Sequence, residues 1–234
     1  MTFSVVIPTY NRSEYVVEVL KLLYNQFDPP PFEVIIVNDG GDSRVLKLSL
    51  AKFGDYLVDV PRCTIMPVRL LHQENSGAAA ARNYGARTAV GNIVVFLDDD
   101  CWPNKYWLKN LDEVYKVFPN HMVGGPMEIA SCVENNLSSV ASQLFIRYLH
   151  ESYPNSVCGG HNMAVPRNLF SEVGQYDQRL NLTAGDDREL WDRWLAAGYK
   201  IHYSPAVIVY HRHCMNPKKI CLQFRRYGRG AYQF

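Results

Sequence analysis

The sequence lacks a long apolar run and lacks the marks of a secretory signal. No apolar stretch among its 234 residues approaches the ~20 that an α-helix needs to cross a bilayer. The opening MTFSVVIPTY carries no basic residue and reaches Pro8 directly after a short strand-like run, which is not typical of a signal peptide. We therefore expect a cytoplasmic protein whose contact with a membrane is at most peripheral.

The sequence also lacks an excess of charge of either sign. Its 24 Lys and Arg residues nearly balance its 23 Asp and Glu residues, which leaves a net charge of +1 and no reason to expect a nucleic-acid partner. Basic residues do gather near the end, where Lys218 and Lys219 precede RRYGRG (Arg225 to Gly230). Such a segment is either a solvated terminal helix or a peripheral contact with an anionic membrane.

Common ligand-binding motifs are absent as well. The six cysteines are scattered without a CxxC pair, which excludes a zinc ribbon or a dense disulfide framework and fits a reducing compartment. Neither G-x-x-x-x-G-K nor G-x-G-x-x-G occurs, so a bound nucleotide is not held by a Walker or Rossmann loop.

The first hundred residues contain four short apolar runs of buried-strand character. They are continuous rather than alternating, as expected for parallel strands that are covered on both faces. Helical patterns separate most of them, so we predict a doubly wound α/β sheet with ligands at the carboxyl ends of its strands. The runs are Phe3–Pro8, Phe32–Asp39, Val68–His72 and Asn92–Asp98.

Helical patterns are assigned from apolar spacing and capping signals. Asn11 and Glu14 resemble a capping box at the start of one helix, and Asn75 is the predicted cap of another. In the second half we predict one strand from His121 to Ala130, another from His161 to Pro166, and one or two between His202 and His211. Further helices are predicted over 106–118, 137–149, 186–197 and the basic end.

Carboxylates follow the predicted strands at the points where ligands are expected. Asp39 ends the second strand, Asp98 ends the fourth, and Asp99 and Asp100 follow it. Oxygen ligands of this kind suit Mg²⁺ or Mn²⁺ bridged to a phosphorylated ligand. In a D-x-D turn, Asp98 and Asp100 would point to one side and Asp99 away; a solvated turn is the alternative interpretation.

Two more acids, Asp186 and Asp187, begin the helix in GDDRELWDRW. Acids in a first turn stabilise a helix through its dipole. They also suit a general base that takes a proton from a hydroxyl nucleophile. The segment NSGAAAARN offers a helix N-terminus for an anion, with Arg82 two turns in.

Taken in order, several blocks resemble the family 2 glycosyltransferases. They are FSVVIPTYNRSEYVVEVLKLL, FEVIIVNDGGDS, NSGAAAARNYGARTAVGNIVVFLDDDCWP, GGHNMAVPRNLFSEVGQYDQRL and GDDRELWDRWLAAGYKI, which run from residue 3 to about residue 213. The resemblance implies the GT-A fold, a Rossmann-like α/β domain with a central, mostly parallel sheet and a smaller acceptor-side subdomain. It also implies inverting transfer of a sugar from a nucleotide donor.

Carried over by position, the resemblance assigns roles to individual residues. Asp187 takes the place of the catalytic base, and Asp186 stands where glutamate is commoner. Asp100 would hold Mg²⁺ or Mn²⁺ against the diphosphate, and His211 corresponds to a histidine that contacts the metal in some relatives. The nucleotide pocket would include Pro8, Thr9, Tyr10, Arg12, Asp39, Arg82, Asp98 and Asp99.

The resemblance also implies the domain organisation and the partners. We expect one domain over 1–234, with a nucleotide-binding half (1–100), an acceptor-binding half (101–213) and a basic helix (214–234). QFRRY (Gln223 to Tyr227) resembles the Q-x-x-R-W motif of processive synthases. The donor would be a nucleotide-diphosphate sugar, UDP foremost, and the acceptor a saccharide or a lipid-linked molecule. A sugar-phosphate nucleotidyltransferase and a non-catalytic nucleotide-sugar-binding protein are the alternatives.

Overall fold

A computed structural model describes residues 1–44, 46–51, 67–133, 135–152, 159–180, 185–212 and 214–233. Residues 134, 153–158, 181–184 and 213 of the predicted acceptor-binding half therefore lie outside the described residues. Among those described, no helix has the length and apolarity to cross a bilayer. Residues 43–44 and 46–51 are helical. The remaining helices are α1 (Ser13–Tyr24), α2 (Ala78–Thr88), α3 (Trp107–Val117), α4 (Leu137–Ser152), α5 (Arg167–Glu172), α6 (Asp186–Ala196) and α7 (Pro217–Gln233), with a 3₁₀ turn at Ser131–Val133.

The strands form a large sheet and a small one. The large sheet has the order β3-β2-β1-β4-β8-β6-β9, in which β3, β2, β1 and β4 run parallel and β8 is antiparallel to both of its neighbours. The small sheet has the order β5-β10-β7. The strands are β1 (Phe3–Thr9), β2 (Phe32–Asp39), β3 (Val68–Gln73), β4 (Ile93–Leu97), β5 (Cys101–Pro103), β6 (His121–Gly124), β7 (Met127–Ile129), β8 (Asn162–Pro166), β9 (Lys200–Tyr203) and β10 (Val209–His211).

The predicted burial of the first parallel strands is confirmed. Every residue of β1, β2 and β4 is buried, because apolar clusters cover both faces of the sheet. Helix α1 packs on one face, and α2 packs on the other so closely that a Cβ on Gly85 would lie 2.3 Å from Val6. This close approach brings the buried middle of α2 next to the sheet.

The single strand predicted over His121–Ala130 is wrong. The segment forms two strands in different sheets, β6 and β7, separated by Gly125 and Pro126. Proline has no N–H to continue a ladder. A Cβ on Gly125 would lie 2.1 Å from the carbonyl oxygen of Val207, so the chain passes here against another backbone segment and leaves the large sheet. Strand β5 and helix α5 were not predicted.

Candidate active site

The candidate site lies where the large sheet reverses its strand order. From β1 the chain proceeds to β2 and β3 on one side, whereas β4 lies on the other. Crevices at such switch points, outside the carboxyl ends of the strands, are the usual ligand sites of open α/β sheets. Thr9 ends β1 and Asp98 directly follows β4, so two groups of predicted site residues lie at this edge.

The loop from β1 to α1 corrects the predicted capping box. Helix α1 begins at Ser13 with Arg12 in the cap position, and no side chain caps it. Asn11 instead adopts a left-handed backbone (φ 55°), and its Oδ1 accepts a hydrogen bond from the N–H of Asp42 (3.0 Å). Asn11 thus ties the β1 loop to the β2 loop, because a tertiary partner replaces the helix end that its sequence position suggested.

Arg12 joins two of the three consecutive aspartates. Its Nη1 lies 3.0 Å from Oδ1 of Asp99 and 2.9 Å from Oδ2 of Asp100, while half of its side chain remains exposed. Asp99 is buried and also accepts a hydrogen bond from Thr9 Oγ1 (2.7 Å). Burial raises the pKa of Asp99 to about 7 although Arg12 opposes the shift.

Arg82 joins the remaining aspartate, Asp98, to the start of α6. Its Nη2 lies 2.7 Å from Asp98 Oδ1 and its Nη1 lies 3.6 Å from Asp186 Oδ2. The guanidinium is buried 5.5 Å from the centre of the Tyr176 ring. Desolvation lowers the pKa of Arg82, but the negative charges around it, Asp98 first, outweigh that effect and keep the group charged.

The three aspartates are grouped differently from the D-x-D expectation. By its contacts Asp98 belongs with Arg82, whereas Asp99 and Asp100 share Arg12. Two cations, Arg12 and Arg82, thus lie among the like charges that follow β4 and offset the repulsion between them.

Asp187 lies at the start of α6 with two donors on one oxygen. Its Oδ1 accepts a hydrogen bond from the N–H of Gly160 (3.0 Å) and another from the hydroxyl of Tyr176 (3.1 Å). Burial, followed by the charge of Asp186, raises the pKa of Asp187 to about 7. A Cβ on Gly160 would lie 2.4 Å from Cζ of Arg82, so a larger residue here would have to displace the buried guanidinium.

The raised pKa of Asp187 predicts how stability depends on pH. Its value near 7 in the folded state exceeds the ordinary 3.8, so its contribution is fully present below about pH 4 and lost as pH rises to about 7. Asp187→Asn keeps an oxygen acceptor and cannot ionise. We expect this variant to gain roughly 1 to 3 kcal/mol over the wild type between pH 5 and pH 8. Urea unfolding at several pH values measures the difference; a pH-independent difference would contradict the assignment.

Asp100 and His211 offer a pair of metal ligands. Asp100 Oδ1 lies 3.6 Å from His211 Nε2, and the thiol of Cys101 lies 4.0 Å from the same oxygen. Cys101 and His211 are opposite each other on the antiparallel strands β5 and β10, which is why residues 110 positions apart meet here. Carboxylate and imidazole donors together fit a divalent ion such as Mn²⁺, and an all-oxygen set would favour Mg²⁺ more strongly.

Asp39 is engaged with the backbone before α2. Its carboxylate accepts hydrogen bonds from Gln73 Nε2 (2.7 Å) and from the N–H groups of Ser76 (2.8 Å) and Gly77 (2.9 Å). Helix α2 begins at Ala78 after Gly77, so the predicted cap at Asn75 is wrong. The carboxylate of Asp39, from strand β2, accepts the hydrogen bonds before the helix instead. Contact of Asp39 with a base stays a prediction.

A pocket of about 190 Å³ opens between the β1 and β2 loops. Of the predicted nucleotide-binding residues, Thr9 and Arg12 line it, whereas Pro8 is buried within β1 and Tyr10 is half-exposed. Its full lining is Thr9, Asn11, Arg12, Ser13, Asn38, Asp42 and Leu46. Polar loop ends around one apolar side chain suit a nucleoside.

Three further residues lie around Asp187; Gly160 and Tyr176 were not singled out from the sequence, and Tyr227 was named only as the end of QFRRY. Gly160 and Tyr176 donate to the carboxylate, and Tyr227 of α7 is close enough that the charges of Asp187 and Asp98, after burial, raise the pKa of its hydroxyl. All three lie within the resembling blocks GGHNMAVPRNLFSEVGQYDQRL and QFRRY. Those blocks indicated a region, but only the folded chain selects the residue.

Comparisons with known proteins agree on one family. The family model for glycosyl transferase family 2 matches residues 4–174. Glycosyltransferase AglE of Haloferax volcanii is 26% identical over 235 residues, which cover 98% of this chain and 73% of AglE. Chondroitin synthase of Escherichia coli is 24% identical over 245 residues, 89% of this chain and 34% of the synthase.

Solved structures share the fold at lower identity. A mannosyltransferase from Pyrobaculum calidifontis in complex with GDP-Man and Mn²⁺ aligns with a TM-score of 0.73 at 20% identity, over 95% of this chain and 60% of that one. Staphylococcus aureus TarS 1–349 in complex with UDP-GlcNAc aligns with a TM-score of 0.66 at 19% identity, over 92% and 60%. The predicted GT-A fold is thereby confirmed.

Proposed function

The chain belongs to glycosyl transferase family 2, and from this premise we propose that it moves a sugar from a nucleotide-diphosphate donor to an acceptor hydroxyl with inversion of the anomeric carbon. The Arg82 contacts carry this proposal. One buried guanidinium holds Asp98, at the end of β4, and Asp186, beside Asp187 at the start of α6. A carboxylate of the donor half and a candidate base of the acceptor half therefore lie around one cation.

We assign the proton-accepting role to Asp187. Its pKa of about 7 leaves much of it ionised at neutral pH while keeping it basic enough to take a proton. In the reaction, the acceptor O–H proton passes to Asp187 as the acceptor oxygen bonds to the anomeric carbon. The bond from that carbon to the diphosphate oxygen breaks, and the nucleoside diphosphate leaves with the electron pair.

Gly160 and Tyr176 act on this base by position. Both donate to the same oxygen of Asp187, and no donor to its other oxygen is found among the described residues. The two hydrogen bonds fix the orientation of the carboxylate. We propose that the second oxygen is the one that meets the acceptor hydroxyl.

The metal role falls to Asp100 and His211. Asp100 and His211 would hold a divalent ion, and its positive charge would stabilise the departing diphosphate. The mixed carboxylate and imidazole donors favour Mn²⁺ over Mg²⁺. The mannosyltransferase that shares this fold was solved with Mn²⁺, which supports the same preference.

We propose that the pocket beside Arg12 takes the nucleoside of the donor. It lies between the loops after β1 and β2, at the sheet edge where the aspartates are found. UDP is the donor nucleotide we favour, although the two solved relatives above hold a GDP sugar and a UDP sugar. The product would be a glycan, a polysaccharide or a glycolipid, made on a saccharide or lipid-linked acceptor.

Arg12 is expected to compete with a metal for Asp100. Its guanidinium already contacts the carboxylate that would hold the ion, and its exposed half leaves it able to turn toward a diphosphate. We expect Arg12→Gln to bind Mn²⁺ about 3- to 10-fold more tightly in the absence of nucleotide, because a like charge is removed. The same variant should bind nucleoside diphosphate more weakly.

Electron paramagnetic resonance of free Mn²⁺ measures the affinity of Arg12→Gln. Arg12→Lys is the matched control, since it keeps the charge and should stay near the wild type. Equal Mn²⁺ affinity in wild type and Arg12→Gln would show that Arg12 does not compete for this carboxylate.

The experiment that tests the function is a thermal-shift screen of nucleotide sugars with and without Mn²⁺. A donor at about 100 times its Kd should stabilise the folded chain by about 2.7 kcal/mol. The donor so found is then incubated with candidate acceptors, and the anomeric configuration of the product is read by NMR. Retention of configuration would contradict the single displacement.

Turnover assays on the same chain separate the alternatives. A nucleotidyltransferase would consume a nucleoside triphosphate and a sugar phosphate and release pyrophosphate. A binding protein would be stabilised by the nucleotide sugar without turning it over. Either result, obtained with the same chain, would overturn the proposed transfer.

A further inference from the structure

Helices α4 and α7 form a paired surface that lies outside the site described above. The Phe145 and Phe224 rings meet edge to face with centroids 4.9 Å apart, and Ser142 donates a hydrogen bond to Gln223 Oε1 (3.2 Å). Around this contact large apolar side chains stay exposed. They are Leu144 (60%), Phe145 (36%), Tyr148 (63%), Leu222 (48%) and Phe224 (39%).

The exposed side of α7 is strongly basic. Its partly buried side chains are Ile220, Gln223 and Tyr227, which recur at helical spacing and face the protein. The other described side chains of the helix are exposed, and the stretch 217–233 contains no Asp or Glu. The exposed cations are Lys218, Lys219, Arg225, Arg226 and Arg229.

We propose that these apolar and basic side chains, together the α4–α7 face, bind the surface of an anionic lipid bilayer. Helices with cations beside exposed aromatic and aliphatic side chains lie in the plane of a bilayer, where apolar burial and attraction to anionic headgroups act together. Charge complementarity selects this occupant, since five cations with no acid on the helix repel one another until an anionic surface meets them.

The position of α7 relates lipid binding by the α4–α7 face to the candidate active site. The inward side of the helix carries Tyr227, whose hydroxyl has a raised pKa caused first by burial and then by the charges of Asp187 and Asp98. One helix thus has its basic side outside and its other side near the candidate base. A lipid-linked acceptor held in the bilayer would reach Asp187 beside α7; this consequence rests on the proposed function, whereas the lipid binding does not.

Co-sedimentation with vesicles tests the binding without donor, acceptor or metal. The whole chain is mixed with sucrose-loaded vesicles of phosphatidylcholine, alone or with about 30 mol% phosphatidylglycerol, at about 0.1 and about 0.5 M salt. We expect binding to the anionic vesicles at low salt and its loss at high salt. Arg225→Gln with Arg229→Gln should weaken the partition about 30-fold, from about 5-fold per cation removed.

Matched variants control for charge and apolarity elsewhere on the surface. Lys105→Gln with Lys109→Gln removes two cations at and just before the first turn of α3, and Val117→Ser removes an apolar side chain that is 67% exposed. Both should bind like the wild type, whereas Leu222→Ser should bind more weakly. Circular dichroism confirms that each variant is folded, which these exposed positions favour.

The remaining outcomes overturn the proposal. A folded wild type that stays in the supernatant with anionic vesicles shows that the face does not bind lipid. A dimer in light scattering that is lost in Leu222→Ser, without vesicle binding, shows that a second copy covers the face instead. Binding that is equal in the Arg225 and Arg229 variant and in the wild type shows that the contact lies elsewhere. Because no sugar transfer is measured, none of these results bears on the proposed reaction.

Discussion

Asp187→Asn is expected to bind the donor normally and to lower kcat about 1000-fold. Asparagine keeps the oxygen that accepts from Gly160 and Tyr176, so the local structure should survive. It cannot take a proton from the acceptor, and general base catalysis contributes about 10² to 10⁴ in rate. Donor binding is measured by nucleotide titration and transfer by release of nucleoside diphosphate.

The control for this experiment lies on the same helix. Asp192 is an exposed aspartate of α6, and Asp192→Asn removes the same charge without touching the site. It should turn over like the wild type. Normal turnover by Asp187→Asn would show that Asp187 is not the general base. Loss of donor binding would show that Asp187 contributes to binding the donor instead.

The wild-type pH profile adds a separate check on Asp187. Because its pKa lies at about 7, kcat/KM should rise as pH increases through that value while the base becomes ionised. Asp192→Asn should keep the same profile.

Asp100→Asn is expected to abolish the effect of Mn²⁺ on donor binding. Wild-type affinity for the nucleoside diphosphate should increase at least about 100-fold with Mn²⁺. The diphosphate without Mn²⁺ lacks its positive partner, which costs about 3 kcal/mol in binding free energy. In the variant, the side chain at position 100 would be uncharged, so His211 would remain beside the ion without the neighbouring carboxylate. Titration of the nucleotide with and without Mn²⁺ measures both states.

Two comparisons make the Asp100 result specific. His211→Ala removes the second ligand and should weaken the Mn²⁺ effect without the loss of charge that Asp100→Asn causes. Glu113→Gln removes an exposed acid of α3 and should leave the effect unchanged. Retention of the full Mn²⁺ effect in Asp100→Asn would mean that the ion is held elsewhere.

The large sheet was predictable because burial acts on each strand separately. A parallel strand covered on both faces must be apolar throughout. The runs that form β1, β2 and β4 could therefore be recognised as strands without knowing which strands they pair with. Strand β5 could not be recognised in the sequence, because Cys101–Pro103 is extended through its pairing with the distant strand β10. The same holds for the end of β6, where a close backbone neighbour diverts the chain.

Caps show the same difference between local and distant partners. Asn11 and Asn75 each have a residue type that caps helices, which is all that local sequence can report. In the fold, Asn11 accepts from Asp42, and the backbone before α2 donates to Asp39 of another strand. Both predictions failed because a partner distant in sequence outcompeted the local one.

Residue types and their order sufficed for the family, the α/β class and the identity of the acids. These follow from local apolar patterns and from motifs that are contiguous in the chain. Which acid acts on what depended on the tertiary structure. Arg82 gathers Asp98 with Asp186, Arg12 gathers Asp99 with Asp100, and buried neighbours raise the pKa of Asp187. Charge pairing and desolvation depend on distances between residues far apart in the chain, and only folding sets those distances.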